Sequence, residues 1–84
     1  MKIKIYTSPG CSYCAHLKTL LKRANLEWTE YVVGQDIPVD QFMAEYPQVK
    51  GAPFTVIDGR QYQTVADVAV MLLKEGLVTA PKRD

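Results

Sequence analysis

Two cysteines, Cys11 and Cys14, stand in the run Pro9-Gly10-Cys11-Ser12-Tyr13-Cys14, and the chain has no others. A bond between them closes a loop too short to restrain the unfolded chain much, so the pair is no scaffold staple. A secreted mini-protein of this size carries more cysteines at wider spacing. The C-x-x-C spacing suits thiol–disulfide exchange, in which one thiolate attacks a disulfide and its neighbour resolves the mixed disulfide. Two other readings compete: a pair of inert core cysteines, or half of a zinc site. For zinc the chain offers only His16 as a further nearby nitrogen or sulfur ligand. It falls roughly opposite Cys14 on a helical wheel, so a closed tetrahedral site needs a second chain.

The elements around the pair favour exchange. Ile3 to Tyr6 is a short β-rich run ended by the turn formers Thr7-Ser8-Pro9-Gly10. From about Cys11 the period becomes helical, with Cys14, Leu17, Leu20 or Leu21, and Ala24 at three- and four-residue steps. Cys11 therefore falls where free backbone N–H groups open a helix, a place that stabilises a thiolate and is expected to lower its pKa below about 8.5. Cys14 begins the buried stripe of the same helix and is expected to be shielded. Lys18 follows one to two turns later, too far to act strongly on Cys11.

The rest of the chain completes a frame for this loop. Glu27 to Val33 reads as a strand, Val39 to Tyr46 as a short helix stopped by Pro47, and Phe54 to Ile57 as a strand. Asp58-Gly59 makes a two-residue hairpin into Arg60 to Gln63. Thr64-Val65-Ala66-Asp67 fits a capping box opening a last helix to about Glu75, ended by Gly76. Met71, Leu72 and Leu73 read as the core of that helix, and residues 80–84 as a frayed tail. The order β-α-β-α-β-β-α implies an α/β fold. A parallel crossover joined to an antiparallel hairpin gives a mixed four-stranded sheet with helices on both faces.

Composition bounds the function. With 84 residues, 48% hydrophobic and 23% charged, the chain reads as one globular domain, 1–84, with room for one core. A net charge of +1 without a basic run leaves no footprint for nucleic acid. The longest apolar stretch, Val68 to Leu73, is too short to span a bilayer, and Met1 to Ile5 lacks a signal-peptide core. A soluble cytoplasmic monomer is expected.

Ile5-Tyr6-Thr7, followed by Pro9-Gly10-Cys11-Ser12-Tyr13-Cys14, resembles the active-site segment of a glutaredoxin, within the thioredoxin superfamily. The resemblance continues through Ala52-Pro53 and the hairpin to the last helix. It implies a thioredoxin-like fold and a dithiol oxidoreductase that reduces protein disulfides or glutathione mixed disulfides and is recharged by glutathione. Cys11 is then the nucleophile, Cys14 the resolving thiol and Tyr13 a wall of the glutathione groove. Pro53 is the family's cis proline, which leaves the Ala52 backbone free to pair with substrate. Lys50 falls at a basic position suited to a glutathione carboxylate. Val65 and Ala66 offer helix N-terminal N–H groups to the γ-glutamyl end, beside Asp67. Ribonucleotide reductase, whose turnover leaves a disulfide, is a client the resemblance suggests.

Departures from the family pattern are specific. Ser12 replaces the proline many members carry between the cysteines, Ser8 a lysine, and Gly51-Ala52 a threonine-valine pair. Gln63-Thr64-Val65-Ala66-Asp67 lacks the usual Gly-Gly. These departures keep two alternatives open: a redoxin recharged by thioredoxin reductase, and a dimer holding a glutathione-ligated [2Fe-2S] cluster. No protein metal site is expected.

Overall fold

The computed structural model describes residues 1–78; the tail expected at 80–84 lies outside them. Strand β1 (Ile3–Thr7) leads through a short loop into helix α1 (Ser12–Arg23), then strand β2 (Thr29–Val32) and helix α2 (Val39–Glu45). Strands β3 (Phe54–Ile57) and β4 (Arg60–Tyr62) follow, and helix α3 (Val65–Lys74) ends the fold. The four strands form one sheet in the order β2-β1-β3-β4. β1 pairs with β2 in parallel, with Lys4 opposite Thr29 and Thr7 opposite Val32. β3 runs antiparallel to both β1 and β4. This is the mixed four-stranded α/β sheet expected from the order of elements, and it has the thioredoxin-like form that the family resemblance implies.

The strands alternate their side chains between two faces, and the core divides accordingly. On one face Ile3, Ile5 and Ile57 pack with Leu17, Leu21 and Ala24 of the α1 segment and Val68 and Leu72 of α3. On the other, Tyr6, Phe54 and Val56 pack with Phe42 of α2 and with Tyr46 and Val49 beyond it. The single core expected from chain length is thus two clusters, because a sheet of this size buries both of its faces. One is aliphatic and the other aromatic, with Tyr6 stacked on Phe42 at 4.8 Å between ring centroids.

Local chemistry fixes the ends of the elements. Asp58 and Gly59 both have positive φ, 50° and 85°, the pattern of a type I′ hairpin turn. Asp58 is tied further by its carboxylate, which accepts from the Lys2 N–H at 2.7 Å. Thr64 caps α3 by accepting from the Asp67 N–H at 3.1 Å. Gly76 closes that helix by donating to Leu73 at 3.1 Å, with Leu77 donating to Leu72 at 2.9 Å. Two expectations shift. β2 begins at Thr29 because its partner residues on β1 begin at Lys4, and Trp28 packs against the aliphatic core from outside the ladder. Leu73 is exposed rather than core, since only the stripe through Val68 and Leu72 meets the sheet. Among the described residues, no helix is long and apolar enough to cross a membrane.

Candidate active site

The loop after β1 turns at Gly10, whose φ of +74° sets the entry into α1. Cys11 then occupies the N-cap position with extended backbone, φ −90° and ψ 109°. Its sulfur accepts from the Cys14 N–H at 3.2 Å, the role an N-cap oxygen usually fills. An anion on Sγ would therefore meet a backbone donor already aimed at it. The same thiol faces across the fold to the Ala52 carbonyl oxygen, 3.8 Å away, to which it donates.

Cys14 sits in contrasting surroundings. It is 4% exposed and opens the buried stripe that continues through Leu17 and Leu21. Burial, reinforced by its hydrogen bond with Cys11, pushes its thiol up to about 11. The Ser8 backbone and the Lys18 ammonium act in the opposite direction and favour the thiolate. Both cysteines are free thiols. One is accessible at a helix cap and the other is shielded behind it.

Two hollows flank Cys11. The smaller, of about 260 Å³, is lined by Tyr13, Ala52, Pro53, Gln63, Thr64, Val65 and Ala66. Tyr13 is 65% exposed on its rim, edge-on to the exposed ring of His16 at 5.8 Å. The Ala52–Pro53 peptide is cis, with Pro53 buried and the Ala52 carbonyl turned to Cys11. Val65 and Ala66 form the first turn of α3. Five of the seven residues expected beyond the cysteines thus meet in one groove. Lys50 instead lies on the loop before Ala52, and Asp67 lines a separate hollow with Arg60, Tyr62 and Lys74.

Gln63 enters the sequence reading only as part of a segment lacking the family's Gly-Gly, and the structure gives it a tethering role. Its side-chain amide donates to the Gln48 carbonyl at 3.3 Å and accepts from the Lys50 N–H at 3.3 Å. The end of β4 is thereby tied to the loop that carries Ala52. The only signal in the sequence is an uncharged amide where a turn glycine is usual.

The larger hollow, of about 680 Å³, lies on the other side of Cys11 and also reaches Cys14, Lys18 and Glu30. Lys18 Nζ stands 2.8 Å from Glu30 Oε2, which also accepts from Thr7 Oγ1 at 2.7 Å. The Lys18 ammonium and the Thr7 hydroxyl together hold the Glu30 carboxyl below its ordinary value despite partial burial. Among the described residues no group of three or more His, Cys, Asp or Glu side chains converges to hold a metal ion.

An N-cap thiol, a buried second thiol and a cis proline facing them form a constellation that comparison with known proteins identifies. The sequence profile of the glutaredoxin family matches residues 3–62. The chain belongs to the glutaredoxin family. Glutaredoxins are thiol–disulfide oxidoreductases, and this chain is one by membership of the family. A glutaredoxin-like protein of 8.6 kDa in the rubredoxin operon of Clostridium pasteurianum, itself uncharacterized, is 33% identical over 57 residues. That match covers 68% of this chain and 76% of the relative. Glutaredoxin from Brucella melitensis superposes with a TM-score of 0.68 at 30% identity, covering 90% of this chain and 82% of that one. Glutaredoxin 1 from Francisella tularensis, solved with cacodylate, shares the fold with a TM-score of 0.74 at 23% identity, over 88% and 94% of the two chains.

Proposed function

We propose that this glutaredoxin reduces protein disulfides and glutathione mixed disulfides by a two-thiol cycle, with glutathione as reductant. The observation that carries the reading is the asymmetry of the pair: Cys11 accepts a helix N–H at 3.2 Å at an accessible cap, while Cys14 is 4% exposed. Cys11 attacks the substrate disulfide, forming a mixed disulfide and releasing one substrate thiolate. Cys14 then attacks Cys11 Sγ, the Cys11–Cys14 bond forms, and the second substrate sulfur leaves as a thiolate. Two glutathione molecules reduce that bond in turn and leave as glutathione disulfide.

In this reading the partner's chain lies along Ala52, in the groove walled by Tyr13 and Pro53. The free N–H groups of Val65 and Ala66 receive a carboxylate at the start of α3, with Lys50 and Asp67 at its margins. Clients are proteins with exposed disulfides, ribonucleotide reductase among them. A monomer in a reducing cytoplasm fits the cycle.

A second reading rests on the groove itself, which has no charged side chain among its lining residues. Glutathione carries charge at both ends, whereas a reductase docks a protein surface, so recharging by thioredoxin reductase is the alternative. NADPH consumption distinguishes them. The oxidised protein is supplied either with glutathione and glutathione reductase, or with thioredoxin reductase alone. Fast turnover with glutathione is expected, and turnover confined to thioredoxin reductase would replace glutathione as the reductant.

A further inference from the structure

The larger hollow contains an arrangement that the exchange cycle as described leaves without a role. Thr7 Oγ1, Glu30 Oε2 and Lys18 Nζ form a continuous chain, with contacts of 2.7 Å and 2.8 Å, across β1, β2 and α1. A lysine on an open helix surface gains little from such a pair and would ordinarily range through solvent. Here its head is drawn inward to the sheet edge. Lys18 lies one turn after Cys14, and helical side chains lean toward the N-terminus, so its ammonium is carried back toward that thiol. Cys14, Lys18 and Glu30 line the same hollow. We propose that the Thr7–Glu30–Lys18 chain is a positioning device for the resolving thiol, holding the Lys18 ammonium where it stabilises the anion that Cys14 becomes when it attacks.

The need for such a device follows from burial. Cys14 must be a thiolate in the second step, yet its site disfavours charge. The charged and titratable side chains around this hollow are Cys11 at the cap, Lys18 and Lys22 on α1, and Glu30 on β2; β1 contributes Thr7, which is uncharged. Once Cys11 is tied up in a mixed disulfide it carries no charge and no proton to share. Lys18 and the Ser8 backbone are then the groups that favour the Cys14 anion. Glu30 acts on the lysine, fixing where its charge sits. The proton Cys14 loses passes to solvent in the hollow, and the departing substrate thiolate takes one up, so the step needs no further reagent.

The inference rests on the two-thiol reading, and one stopped-flow experiment separates the two. The reduced protein is mixed with a protein disulfide, and the formation of the mixed disulfide and its resolution are followed as separate phases from pH 6 to 10. Three variants are compared: Cys14→Ser, Lys18→Met and Lys18→Arg. Each unit by which the Cys14 pKa rises removes tenfold of its thiolate, of which higher nucleophilicity returns about threefold. Lys18→Met is therefore expected to slow resolution about threefold relative to the first attack. Its pH profile should move to higher pH, and Lys18→Arg should restore both. Equal resolution rates and profiles in Lys18→Met and the parent, with Cys14→Ser unable to resolve, overturn the inference alone. Equal slowing of both phases with an unmoved profile also overturns it, since that is the mark of structural damage. Full reduction of the protein disulfide by Cys14→Ser overturns both the inference and the cycle on which it rests.

Discussion

Cys11 stands between two hollows of opposite character. On one side Lys18, Lys22 and Glu30 stand around a large space with charged groups in its wall that reaches back to Cys14. On the other, Tyr13, Pro53, Val65 and Ala66 shape a smaller groove without a charged side chain. In the proposed cycle the first manages charge on the exchanging sulfurs, and the second receives the chain that carries the substrate sulfur. The two draw on different parts of the fold. The charged side is built by β1, α1 and β2 within the first 35 residues of the sequence. The groove needs the cis Ala52–Pro53 turn and the start of α3, which arrive much later in the chain.

Removing the Cys11 sulfur, which lines the larger hollow and touches the Ala52 carbonyl beside the groove, has the largest effect. Cys11→Ser should abolish exchange with every disulfide, read as loss of NADPH-coupled turnover. Any retained turnover above the buffer rate would give the attack to another group. A charge placed in the groove tests its character next. Val65→Asp should lower kcat/KM for a glutathione mixed disulfide by about tenfold, through repulsion of the incoming carboxylate. Val65 also packs on the aliphatic core, so folding stability should fall by about 1–2 kcal/mol, offset in part because an acid in the first turn of α3 suits the helix dipole. Unchanged kcat/KM would mean glutathione docks elsewhere.

The charged side answers to pH. The Cys14 thiol has its pKa raised in the fold, so its contribution to stability is present below the ordinary thiol range and is lost as pH climbs from about 9 to about 11. Glu30 is lowered, so its contribution is present above the ordinary carboxylate range and disappears on acidification. Urea midpoints of the reduced protein should therefore fall at both ends. The disulfide form lacks the Cys14 thiol and should keep only the part of the alkaline loss that other groups, such as the buried Tyr6 hydroxyl, contribute. Identical alkaline slopes in the two redox forms would remove Cys14 from the account. The smallest effect is expected at the edge of the groove, where Thr64→Ala removes the α3 cap. It should cost about 1 kcal/mol, measured by denaturant unfolding.

What could be read from the sequence was whatever depends on neighbours along the chain. Asp58-Gly59 announces its hairpin because the turn's backbone needs are met by those two residues alone. Cys11 could be placed at a helix start, and Cys14 in the buried stripe, from a change of period over a dozen residues. The start of β2 was less legible: Trp28 has a strand former's shape, yet the ladder is limited by which residues of β1 face it. Leu73 misled for a similar reason, since an apolar run does not say which of its members meets the sheet. The contacts of Glu30, Thr7 and Gln63 were invisible because they join segments far apart in sequence. No local propensity encodes the 2.7 Å bond between Thr7 and Glu30, or the amide of Gln63 bridging Gln48 and Lys50.

The contact between the Cys11 thiol and the Ala52 carbonyl spans 41 positions of sequence. On a ribosome adding about 5–20 residues per second, Ala52 is joined to the chain some two to eight seconds after Cys11. Through that interval both thiols are already part of the nascent chain, while the loop proposed to receive the substrate chain beside them has yet to be made. The β1–α1–β2 segment therefore carries reactive sulfur before it carries selectivity. Birth order alone makes the unfinished chain a less discriminating reagent than the finished one.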